Sequence, residues 1–84
     1  MKDENGLYYY PFTDNKHVRM YVMDDDGVIC FRMWRQDDPE LWNTHGWVPY
    51  RAILEAAQMN TQKHFNPTQA YDIRVARALL DETQ

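Results

Sequence analysis

The stretch HVRMYVMDDDGVICFRMW, residues 17 to 34, constrains the fold more than any other part of the chain, because apolar side chains alternate with others on both sides of an acidic run that ends in glycine. Such alternation is the period of a strand with one buried face, and the run DDDG (24 to 27) fits a four-residue hairpin loop with Gly27 in the left-handed conformation that closes it. The register set by that loop pairs Val22 with Ile29, Met20 with Phe31 and Val18 with Met33, so one face is continuously apolar. A slip of one residue would mix core and surface positions. On the other face the same register sets Tyr21 against Cys30, Arg19 against Arg32 and His17 against Trp34. Two arginines directly opposed repel one another, so either another part of the chain neutralises them or a partner does.

The remaining segments build on this hairpin. LYYYPF (7 to 12) is β-prone and TDNK (13 to 16) is turn chemistry, which places Tyr8, Tyr10 and Phe12 beside Tyr21, Arg19 and His17 on the arginine-bearing face. Asp38 as N-cap and Pro39 at the first helical position predict one helical turn over 39 to 44. VPYRAILEAAQMN (48 to 60) predicts a helix that turns Tyr50, Ile53, Leu54 and Ala57 toward the apolar sheet face. NPTQAYDIRVARALLDETQ (66 to 84) predicts a second helix, opened by Asn66 and Pro67, with a stripe of Tyr71, Ile73, Val75, Ala76, Leu79 and Leu80 and with Arg74, Arg77 and Asp81 outward. The fold class expected is therefore α+β: a three-stranded antiparallel β-meander followed by a short helical turn and two α-helices packed on the sheet. Its 84 residues are expected to form a single domain, 1 to 84.

Several function classes find no support in the residues. The single cysteine, Cys30, forms no internal disulfide, MKDENG does not begin a signal peptide, and no apolar run approaches the roughly 20 residues needed to span a bilayer, so a cytoplasmic protein without a membrane role is expected. His17, His45 and His64 lack metal-ligand spacing, and Asp24, Asp25 and Asp26 lack the spaced oxygen ligands of a calcium loop. Gly6, Gly27 and Gly46 lie too far apart for a phosphate loop. Cys30 and His17 share a face but are not direct partners in this register, which leaves no catalytic residue, metal or cofactor to name.

Tyr8, Tyr10, Arg19, Tyr21, Arg32 and Trp34 form the candidate partner-binding face, with Asp24, Asp25, Asp26, Asp37 and Asp38 as an acidic rim. Tyrosine, tryptophan and arginine are the residues of protein–protein hot spots, and the net charge of −4 favours a basic partner surface. The reading is a small non-enzymatic accessory or regulatory protein acting by protein–protein binding, such as an acidic inhibitor of a nucleic-acid-handling complex, with a homodimer as a further option. The alternative is a single-stranded nucleic-acid binder that stacks bases on the same rings and meets phosphates with the same arginines. Against both stands simple burial, in which the C-terminal helix crosses this face and arginine stems lie on tyrosine rings.

Overall fold

A computed structural model describes residues 1–59 and 70–82, with residues 57–59 given by backbone alone; the expected roles of Asn66, Pro67 and the Ala57 side chain fall outside the described residues. Among the described residues the strands are β1 (Lys2–Asp3), β2 (Gly6–Tyr9), β3 (Val18–Asp25), β4 (Val28–Arg35) and β5 (Val48–Pro49), and the main helices are α1 (Glu40–His45), α2 (Tyr50–Met59) and α3 (Ile73–Glu82). The class is α+β, but the antiparallel sheet has five strands in sequence order where the sequence pattern suggested three. The two additional strands each have two residues, too few for alternation to show. Both lie at the sheet edges, and Pro49, which cannot donate a backbone hydrogen bond, sits on β5.

The central hairpin is tighter than expected. Asp25 pairs with Val28, leaving Asp26 and Gly27 as a two-residue loop with φ of 54° and 88°. Positive φ at both positions is the signature of a type I′ turn, whose twist matches that of the flanking strands. Asp24 adds to the closure by accepting the Gly27 N–H at 2.7 Å. The register thus moves by two residues from the expected one, an even step that keeps every side chain on its face and changes only its partner. Val22 faces Phe31, Met20 faces Met33, Tyr21 faces Arg32 and Arg19 faces Trp34. The two arginines are therefore not opposed, and His17 lies beyond the strand, where its carbonyl accepts the Gln36 N–H.

The apolar face is the one expected. Tyr9, Met20, Val22 and Phe31 are buried against Ile53 of α2 and Ala76 of α3, with Ile29, Met33, Val75 and Leu79 packed around them. Phe31, at 0% exposure, meets the rings of Tyr50 and Tyr71 at 5.9 and 5.6 Å. Leu54, however, is 38% exposed and does not join the core. The expected C-terminal helix is broken within its span: Tyr71 and Asp72 are not helical, and Asp72 Oδ1 caps α3 by accepting the N–H groups of Arg74 and Val75 at 3.0 and 3.4 Å. Tyr9 fixes this break, donating its hydroxyl proton to the Ala70 carbonyl and accepting the Asp72 N–H. At the start of α1 the N-cap position belongs to Pro39 and no side chain caps it, so Asp38 does not play that part.

Candidate functional site

Strand alternation puts Asp3, Tyr8, Arg19, Tyr21, Arg32 and Trp34 on the side of the sheet away from the core. Arg19 lies between two rings, its guanidinium carbon 4.9 Å from the centre of Tyr8 and 4.9 Å from that of Trp34. Its Nη1 donates to Asp3 Oδ2 at 3.2 Å, and the Tyr21 hydroxyl donates to the same oxygen. The side chain remains 33% exposed, while Nε is buried with no hydrogen-bond partner among the described residues. Tyr21 itself is 1% exposed, so it supports this surface from beneath and offers little area to a partner.

Arg32 belongs to a second group. Its Nε and Nη2 donate to the Trp42 carbonyl at 2.9 and 2.6 Å, and its guanidinium lies over the Trp42 ring at 3.9 Å. Trp42 is in the last turn of α1, where carbonyls have no partner within the helix, so a guanidinium fork is a natural cap. The Trp42 ring meets Tyr21 edge-on at 5.0 Å and Trp47 at 6.3 Å, while Tyr21 meets Tyr8 at 5.3 Å and Tyr8 meets Tyr10 at 5.8 Å. Lys16 Nζ stands 4.4 Å over the Tyr10 ring. Both arginines are thus compensated within the chain, and the element over their face is α1; α3 packs on the opposite side.

The electrostatics follow from these contacts. Burial pushes the Asp3 carboxyl up, but the Tyr21 hydroxyl, the Asn5 N–H, the Arg19 guanidinium and the Gly6 N–H together outweigh it and hold the group below its usual value. The Tyr21 phenol is raised, first by burial and then by its bond to Asp3. The Cys30 thiol is also raised, mainly by burial and further by Asp25 and Asp24, and its ladder partner is Met23. That environment opposes a reactive thiolate.

Asp24, Asp25 and Asp26 are exposed at the hairpin tip, and Asp37 and Asp38 at the other end, where Arg35 forks onto Asp37 at 3.2 and 3.3 Å. On the core side a cavity of about 280 Å³ opens between α1 and α2, lined largely by Phe31, Met33, Leu41, Val48 and Ile53. Among the described residues no group of three or more His, Cys, Asp or Glu is placed to hold a metal ion, and no helix is long and apolar enough to cross a membrane.

Of the residues singled out from the sequence, Tyr8, Tyr10, Arg19, Tyr21 and Trp34 come together, whereas Arg32 is held by Trp42. Asp3 and Trp42 carry no signal in the sequence pattern, since one lies on a two-residue strand and the other on a six-residue helix. Comparison with protein-family models, with curated proteins and with solved structures finds no match, which leaves the geometry as the ground for a functional reading.

Proposed function

We propose that this chain is a non-enzymatic accessory or regulatory protein that binds another protein through Tyr8, Tyr10, Arg19 and Trp34. The observation that carries the reading is the Tyr8–Arg19–Trp34 stack with its Asp3 anchor. A stack fixed before binding loses little side-chain entropy on contact, and aromatic and arginine anchors of this kind dominate protein interfaces. Arg19 already shares its charge with Asp3 through Nη1, and the Arg32 fork is held by a carbonyl, so each arginine has less to offer a phosphate than an unpaired one. This favours a protein over a nucleic acid as partner. The exposed carboxylates of Asp24, Asp25 and Asp26 at one end and Asp38 at the other steer the face toward a basic surface, such as one that receives nucleic acid in a larger complex.

Photo-crosslinking in the native host, from a crosslinkable analogue of Tyr10, tests this. The expected result is one dominant adduct with a protein, lost in Trp34→Ala and retained in the Leu54→Ala control on the opposite side. An adduct unaffected by Trp34→Ala, or tight salt-dependent binding to single-stranded oligonucleotides, overturns it. An adduct with a second copy of the chain identifies the partner as itself.

A further inference from the structure

The five rings Trp47, Trp42, Tyr21, Tyr8 and Tyr10 form an unbroken series, with successive centres 6.3, 5.0, 5.3 and 5.8 Å apart. All five are electron-rich and oxidisable, and each touches the next. The ends are half-buried and the middle ring, Tyr21, is enclosed. We propose that this series is a path for one-electron transfer on which Tyr21 is the resting place, holding an oxidising equivalent as a neutral tyrosyl radical with its proton on Asp3.

Two features single out Tyr21. A positive charge over a ring opposes removal of an electron from it. Lys16 lies over Tyr10, Arg19 over Tyr8 and Arg32 over Trp42, whereas among the described residues no cation lies over the ring of Tyr21 or of Trp47; Arg19 Nη1 reaches the Tyr21 hydroxyl oxygen at 3.5 Å but not its ring face, and what separates Tyr21 from Trp47 is the second feature. The second feature is the proton acceptor. Tyrosine gives up an electron far more readily when its phenolic proton can leave at the same time, and the Tyr21 hydroxyl already donates to Asp3 Oδ2. The surroundings keep that carboxyl ionised and the phenol protonated at rest, the pair of states the transfer needs.

A diffusible one-electron oxidant, such as a peroxyl or carbonate radical, takes one electron from the Trp47 ring and leaves as its anion. Trp42 refills Trp47 and Tyr21 refills Trp42. As the electron leaves Tyr21 its O–H bond breaks and an O–H bond forms on Asp3, giving a neutral phenoxyl radical beside a neutral carboxylic acid. A one-electron reductant such as ascorbate returns the electron, and the proton moves back from Asp3 to the Tyr21 oxygen.

The test is oxidation of the full chain by ruthenium(III) trisbipyridine, generated by a light flash from the ruthenium(II) complex with persulfate as the electron acceptor, followed by electron paramagnetic resonance after rapid freezing. The expected signal is a neutral tyrosyl radical whose hyperfine pattern changes when Tyr21 alone is replaced by a ring-fluorinated tyrosine, a change small enough to leave the packing intact. Trp42→Phe, which keeps an aromatic ring but removes an oxidisable one, is expected to slow its formation. Asp3→Asn is expected to lower its yield and abolish the solvent deuterium effect on its rate. A hyperfine pattern indifferent to the analogue at position 21, or equal yields and rates in native, Trp42→Phe and Asp3→Asn proteins of matching circular dichroism, overturns the proposal.

Discussion

Arg19 and Arg32 look equivalent in the sequence and are held by different physics. Arg19 meets one carboxylate across a partly exposed pair, an arrangement that contributes little by charge alone, so most of its contribution is the packing of its planar head on two rings. Arg32 makes two charge-assisted bonds to a single helix-end carbonyl and stacks on the ring of the same residue. Removing the side chain leaves the Trp42 carbonyl without these donors, so Arg32→Ala is expected to lower stability by about 1.5–3 kcal/mol in chemical denaturation. Arg32→Lys should not recover it, because a single ammonium reproduces neither the fork nor the flat stack. Asp3 makes a separate prediction. Its carboxyl titrates lower folded than unfolded, so its stabilising contribution is fully present above the ordinary carboxylate value and is lost as pH falls through the folded one. Melting temperature measured on acidification should therefore fall less steeply in Asp3→Asn than in the native chain, and an unchanged slope would remove Asp3 from the account.

The β3–β4 hairpin shows which information a short acidic turn carries. Alternation along VRMYVM and VICFRMW fixes the faces, and the observed core obeys it. The run DDDG fixes the register less firmly, since a two-residue and a four-residue loop both preserve side-chain parity. What permits the shorter loop, which needs positive φ at two positions, is that Asp tolerates it at 26 and Gly accepts it at 27, and the match of such a turn to the strand twist favours it. Gly27→Ala is therefore expected to cost about 1–2 kcal/mol in urea denaturation, while Asp26→Asn is expected to be neutral or mildly stabilising. A Gly27→Ala protein of native stability would contradict the two-residue turn. The helices were legible in the same partial way. The amphipathic stripe of α3 is where the sequence puts it, but its start was hidden because Tyr71 fits the helical stripe and is instead placed by the sheet, through the Tyr9 hydroxyl and the Phe31 ring.

Across the whole molecule one sheet separates two layers of different character. Below it, aliphatic and aromatic side chains from β2, β3, β4, α2 and α3 form the core; above it, rings and guanidinium groups interleave, with α1 packed over the Arg32 end of the layer through Trp42. The membership of the upper layer was partly legible, since parity alone gathers Tyr8, Arg19, Tyr21, Arg32 and Trp34. Its closure was not, because Asp3 and Trp42 arrive from elements too short to show a period. The two layers should respond differently to damage. Trp42→Ala removes the ring and leaves in place the carbonyl that Arg32 bonds, so it is expected to loosen α1 over the upper layer while the sheet and the two long helices stay folded. Phe31→Ala acts on the lower layer, where one ring at 0% exposure joins β4 to Tyr50 of α2 and to Tyr71 ahead of α3. Its removal is expected to cost about 3–5 kcal/mol, a large share of the roughly 5–10 kcal/mol that holds a chain of this size together. Amide hydrogen exchange distinguishes the outcomes: Trp42→Ala should raise exchange in α1 alone, whereas Phe31→Ala should raise it together in β3, β4, α2 and α3. Protection retained in α2 and α3 of the Phe31→Ala protein would mean that the helices do not depend on the ring at the centre of the sheet.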